Sequence, residues 1–302
     1  MSPSPLQRRD YLKGVCLVLA ATVLFSLSGI FVRLLGDADP WRISLYRAGS
    51  MSLAVLAFLT LRYGSATWRH FAALDRRALL AVSLFFGVGS TLYILAVSRT
   101  SVANVSCLAA TAPVFAAVLA RLVLGERSGV TAWLATGLAL FGIYVIFRDQ
   151  IGGGDQFGNI VALFVAFAFA GQTVSLRKFR SAELLPAICV GGLAVCAAMP
   201  LFGDRFAIDW HDASLILAMG VVQLALPIVL YVRAARYVSA MTMTLISLLD
   251  VVFNPLWAWL GVGEVPPSST IIGGSIIVAA VLLVITQRRR TLPVVRVATP
   301  DL

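Results

Sequence analysis

Ten stretches of this chain are continuously apolar over roughly the 20 residues that a helix needs to cross hydrocarbon. They cover about 12–34, 42–61, 78–98, 101–123, 129–147, 157–177, 184–202, 213–233, 239–261 and 269–286. The segments between them are too short to hold a soluble domain. Lipid offers no partner to a backbone N–H or C=O, so a stretch that enters it must satisfy its own hydrogen bonds. The runs are unbroken rather than alternating, and about twice the length of a barrel strand, which selects helices. A mean hydropathy of +0.92 with only 13% charged residues lies outside the range of soluble domains. The expected class is an all-α integral membrane protein with ten transmembrane helices.

The first stretch is expected to stay in place. It exceeds the core of a signal peptide, and no small-residue cleavage site followed by polar sequence appears. Residues 1–11 and 287–302 read as short cytoplasmic tails, disordered over 1–10 and 291–302. Cys16, Cys107, Cys189 and Cys196 all fall within apolar stretches, without metal-ligand spacing, and read as small core residues. No metal or cofactor site is expected.

The net charge of +10 would suit nucleic acid, but its distribution points elsewhere. With a cytoplasmic N-terminus, 18 of the 24 Lys and Arg fall on the cytoplasmic side; Arg33, Arg42, Arg99, Arg148 and Arg205 fall on the other, and Arg47 falls within a span. That asymmetry is the positive-inside rule. It predicts a multi-pass protein of the inner or plasma membrane with both termini cytoplasmic, whose basic surplus serves topology and lipid rather than nucleic acid.

The chain also repeats itself. Leu92–Glu126 aligns without a gap with Leu230–Glu264, 138 residues on, and ten of the 35 positions are identical. The shared positions include Tyr93 and Tyr231, Ser101 and Ser239, Val114-Phe115 and Val252-Phe253, and a terminal Gly125-Glu126 and Gly263-Glu264. More weakly, Gly14…Arg33 and Gly158…Arg177 bracket the first stretch of each half at the same length. The expected organisation is a first five-helix repeat over 12–148, a Gly-rich linker over 149–156 and a second repeat over 157–286. Five is odd, so the second copy must cross the membrane in the opposite sense. Inverted repeats of this kind are the architecture of many transporters and provide two access states.

Three stretches carry a family resemblance. One is Asp39-Pro40-Trp41…Tyr46-Arg47. The next is Thr100-Ser101-Val102-Ala103-Asn104, followed by Ala112-Pro113-Val114-Phe115 and Leu124-Gly125-Glu126. The third is Leu248-Leu249-Asp250, followed by Gly263-Glu264 and Ile272-Gly273-Gly274. In this order and spacing the chain resembles the EamA-type branch of the drug/metabolite transporter superfamily over about 12–286. The resemblance implies a carrier that exports a small metabolite, amino-acid-like or drug-like, with proton exchange as the possible coupling. One departure is that the family's second half often reads Glu-Pro where this chain has Asp250-Val251. The proline comes later, at Pro255, and implies a displaced helix bend.

Polar groups are costly in hydrocarbon, so each needs a reason. Asp250 lies near the middle of the ninth stretch. An ionised carboxylate there costs several kcal/mol unless it is paired or wet. It is either a coupling group that carries a proton or cation, or half of a permanent ion pair with a cation such as Arg47. Arg47 can grip a substrate carboxylate in a fork that lysine lacks, reach the interface, or neutralise Asp250. Asn104, Gln172, Gln223 and Asn254, with the hydroxyls of Tyr93 and Tyr231, either line a wet cavity or bond across helices. Trp257 and the phenylalanines either line that cavity or meet lipid. Pro113, Pro227 and Pro255 interrupt the fourth, eighth and ninth stretches, where freed carbonyls must face protein or water. Paired glycines such as Gly273-Gly274 read as helix contacts, Trp41, Trp133, Trp210 and Trp259 as interface anchors, and Glu126 and Glu264 as capping or interhelical groups.

The expected partners are a small-molecule substrate and the bilayer, with monomer and homodimer both open. An uptake permease of the same fold is one alternative. A multi-pass enzyme is another, but His70 and His211 fall on opposite sides of the membrane and no nucleophile–base motif is present. A channel would need a filter loop or charged ring, which nothing suggests. No Gly-rich Lys-Ser/Thr loop for ATP occurs.

Overall fold

The computed structural model describes residues 5–35, 39–148, 155–201, 208–263 and 265–288, and these contain helices and no strand. In chain order the helices are α1 (Pro5–Phe25), α2 (Ser28–Leu35), α3 (Pro40–Tyr63), α4 (Thr67–Ala72), α5 (Arg76–Arg99), α6 (Val102–Ala109), α7 (Ala112–Leu124) and α8 (Val130–Phe147). They continue as α9 (Gln156–Lys178), α10 (Leu185–Ala198), α11 (Trp210–Ala218), α12 (Leu226–Ala234), α13 (Ala240–Ser247), α14 (Asp250–Val262) and α15 (Ser268–Arg288). A π-helical segment, Met219–Ala225, joins α11 to α12. Seven helical runs among the described residues are long and apolar enough to cross a membrane: Trp41–Ala72, Asn104–Leu124, Val130–Phe147, Gln156–Lys178, Trp210–Ala234, Ala240–Gly261 and Ser268–Thr286. The expected stretches 12–34, 78–98 and 184–202 fall on α1 with α2, on α5 and on α10. The protein is a multi-pass, all-helical membrane protein.

The expected disorder of the first ten residues does not hold from Pro5 onward. The expected tail 1–11 is helical from Pro5, and α15 continues to Arg288. Linker residues 149–154, the tail from 289, and Glu264 lie outside the described residues.

Aspartates start several helices. Asp39 Oδ1 accepts from the Trp41 N–H at 2.9 Å with Pro40 in the first turn, so the Asp-Pro-Trp motif is a helix start. Asp75, Asp155 and Asp209 cap α5, α9 and α11 in the same way. The repeated sequence builds repeated local structure. Ser101 caps α6 through the Asn104 N–H and Ser239 caps α13 through the Thr242 N–H, at 3.1 and 3.4 Å. Both helices break after eight residues, at Ala110–Thr111 and at Leu248–Leu249, positions that coincide at the 138-residue offset. Both copies end on a left-handed glycine, Gly125 at φ +67° and Gly263 at φ +73°.

The prolines do not all sit where the helices are interrupted. Pro113 follows its break and occupies the first turn of α7, where its missing N–H has no partner to lose. Pro227 follows the π segment, whose wider turn accommodates the missing donor. Pro255 lies inside α14, which runs through it; the ninth stretch breaks ahead of Asp250 instead. The bend expected from the displaced proline is therefore not displaced. The first stretch breaks at Ser26–Leu27, which no proline announced.

Packing differs along the bundle. Where α1 begins, Tyr11, Leu59, Leu74, Ala78, Leu176, Leu184, Leu185, Ala235 and Val238 belong to one continuous core, each 8% exposed or less. A Cβ on Gly14 would come within 2.5 Å of Tyr237 Cβ and Val238 Cγ2, so only glycine lets these elements meet. α8 packs along α15, with a Cβ on Gly142 falling 2.7 Å from the Gly273 carbonyl oxygen.

Candidate functional site

Between α1, α5, α9, the π segment and α12 lies a cavity of about 210 Å³. Phe25, Phe85, Phe86 and Phe169 form its aromatic walls, and Ser90, Gln172 and Tyr231 add polar groups. The Tyr231 ring meets Phe25 edge-on at 6.3 Å and Phe169 at 5.9 Å, and its hydroxyl shares a hydrogen bond with Thr173 Oγ1 at 3.1 Å. Tyr231 is held in place on both sides.

Ser90 is one helical turn from Tyr93 on α5, so the two share a face. Tyr93 is 39% exposed and lies within electrostatic range of both Arg47 and Asp250. Arg47 and Asp250 are themselves half-buried, and no ion pair joins them among the described residues. The permanent pair considered for them is thus not formed here. The Asp250 carboxylate instead accepts from Asn254 Nδ2 at 3.1 Å, one turn along α14. The break at Leu248–Leu249 also gives Asp250 the first turn of a helix, where the N-terminal end of the dipole favours a negative charge. This layer offers a cation, a phenol and a carboxylate without neutralising either charge.

The other expected residues divide by location. Gln172 faces the cavity. Gln223 Nε2 donates to the Phe25 carbonyl at 3.1 Å, and Trp257 Nε1 donates to Ser26 Oγ at 2.8 Å. Ser26 Oγ in turn donates to the Val23 carbonyl at 2.7 Å. These bonds occupy groups released where α1 breaks, so Gln223 and Trp257 hold the kink that lets Phe25 into the cavity. Gln223 Oε1 is buried and has no partner among the described residues. Asn104 is set apart: its Nδ2 donates to Thr100 Oγ1 at 3.0 Å, which donates to Asn159 Oδ1 at 2.8 Å, tying α6 to the start of α9.

Sequence reasoning left the phenylalanines between cavity and lipid without choosing Phe25, Phe85, Phe86 and Phe169, and it missed Ser90. It also missed the partner of Glu126. Arg177 Nε meets Glu126 Oε1 at 3.0 Å while Arg177 Nη1 donates to the Ala235 carbonyl at 2.9 Å, joining the ends of α7, α9 and α12. The signal was present in Arg177 closing its stretch and Glu126 following Gly125, but nothing in the sequence paired them.

The chain matches the sequence profile of the EamA-like transporter family twice, over residues 12–148 and 153–286. It is 29% identical over 269 residues to the pseudopaline exporter CntI of Pseudomonas aeruginosa, covering 86% of this chain and 91% of that one. It is 28% identical over 247 residues to the uncharacterized transporter YdfC of Bacillus subtilis, covering 75% and 76%. It is 26% identical over 198 residues to an S-adenosylmethionine uptake transporter of Rickettsia prowazekii, covering 64% of each. A protein crystal structure with 15% sequence identity superposes with a TM-score of 0.79 over 91% of this chain and 97% of the other, a likeness of fold.

Proposed function

The chain belongs to the EamA-like transporter family, and on that premise we propose that it is a secondary carrier that exports a small zwitterionic metabolite by alternating access. As a transporter of this superfamily it moves a small molecule through the bilayer. The observation that carries the finer reading is the layer of Arg47, Tyr93 and Asp250 beside a small aromatic cavity. Arg47 can grip a carboxylate and Asp250 an ammonium group, while the phenylalanines and Tyr231 cover the apolar part. A volume of about 210 Å³ lies below the roughly 300–1,000 Å³ of drug-sized sites. It favours an amino-acid-sized solute.

In this reading the chain forms ten spans as two inverted halves, 12–148 and 157–286, with both termini in the cytoplasm of a cell carrying this protein in its inner or plasma membrane. The repeated caps and breaks support that pairing, and the charge asymmetry supports the orientation. Asp250 is the coupling group, taking a proton from one side and releasing it as the solute binds. Export rather than uptake follows the relative that matches over the longer span; the uptake relative keeps import as the competing reading.

Counterflow of labelled amino acids in proteoliposomes tests this. Wild type should exchange labelled for unlabelled solute and accumulate it under a pH gradient. Asp250→Asn should keep exchange and lose at least tenfold of gradient-driven accumulation. Unchanged accumulation in Asp250→Asn would remove the coupling role, and no counterflow with any amino acid would remove the substrate class.

A further inference from the structure

A second hollow, sharing only the Phe85 ring with the central cavity, lies between α5, α7 and α9 at the end of the bundle where α1 begins. It measures about 350 Å³ and is half open to its surroundings. Its walls are apolar, built by Phe85, Leu119, Val123 and Val174, while its mouth carries Arg77 and Lys178. Arg77 and Phe85 are eight residues apart on α5, so the apolar part extends about 12 Å beneath the cations. The hollow therefore combines a positive rim with a deep apolar slot.

Among the described residues neither cation has a carboxylate partner. The Lys/Arg–carboxylate ion pair among the described residues is Arg177 with Glu126. Asp75 lines the same mouth, but its Oδ1 accepts the backbone N–H of Arg77 at 2.9 Å as the cap of α5. The Lys178 ammonium rests 5.8 Å from the centre of the Phe179 ring. In a membrane, acyl chains reach such a slot from the side, and leaving its walls against water is unfavourable. Paired cations at headgroup level select a negative lipid over a zwitterionic one.

We propose that this groove binds one anionic phospholipid, with its phosphate between Arg77 and Lys178 and an acyl chain along Phe85, Leu119, Val123 and Val174. The lipid bridges helices that close this end of the bundle and forms part of the folded carrier.

Native mass spectrometry of the full chain in detergent, titrated with phosphatidylglycerol or phosphatidylcholine, reads this directly. Wild type should retain phosphatidylglycerol in preference. Arg77→Gln with Lys178→Gln should weaken that binding about tenfold and leave phosphatidylcholine binding unchanged. Val123→Trp should block the slot with both cations intact, and Asp75→Asn, which keeps the cap, should strengthen binding. Equal phosphatidylglycerol binding by wild type and the double variant overturns the proposal. So does displacement by soluble glycerol 3-phosphate, which would make the rim a simple anion site.

Discussion

Where α1 begins, side chains from α1, α3, α5, α9, α10, α12 and α13 merge into one core, and Arg177 ties the ends of α7, α9 and α12 together. Other buried residues fall into separate small groups, two of them at this same end (Ala116, Ala120, Val174 and Ala240; Ala117, Ala132 and Met241) and three toward the opposite end. Of those three, Ala96, Val105 and Val161 form one; Leu35, Ile43 and Ile216 a second; Ala48, Val195 and Met199 a third. Tyr93, Arg47 and Asp250 lie on the looser side of the aromatic cavity. The comparison also separates two uses of ionic groups. Arg177 and Glu126 neutralise each other and hold structure, while Arg47 and Asp250 do not.

The largest effect should come from filling the end where α1 begins. Gly14→Leu drives a side chain into Tyr237 and Val238, and thermal unfolding in detergent should register about 3 kcal/mol of destabilisation. Little change would mean that this end is not closely packed. Arg177→Ala comes next. It strips Glu126 and the Ala235 carbonyl of their partner, at a cost of about 1–2 kcal/mol, reduced because the Glu126 side chain is 29% exposed. Cys189, 2% exposed in the same core, should then react about tenfold faster with a membrane-permeant thiol reagent. Unchanged reactivity would show that the ion pair does not hold this end shut. The smallest effect belongs to Gly137, whose added Cβ meets nothing within 4 Å. Gly137→Ala should change unfolding by no more than about 1 kcal/mol, in the stabilising direction, because alanine is the better helix former.

Much of the fold was legible because lipid leaves so few options. Unbroken apolar runs gave the helices, and the duplicated serines and glycines marked their caps. Asp250 stood out because a carboxylate has no cheap place in hydrocarbon. The cavity walls did not stand out, since Phe85 facing a cavity and Phe85 facing lipid have the same sequence. The break at Ser26–Leu27 carried no proline, and it depends on Gln223 and Trp257, each roughly 200 or more positions away. The pairing of Glu126 with Arg177 likewise spans 51 residues. Local chemistry wrote the elements, and distant partners decided what they enclose.

The close approach of Gly142 to Gly273 has a mechanical consequence. With no side chain between the two backbones, α8 and α15 lie in close contact and hold the first half of the chain against the second. A covalent cross-link along α8 and α15 should leave counterflow intact, whereas one bridging α7 and α12 beside Arg177 should stop it.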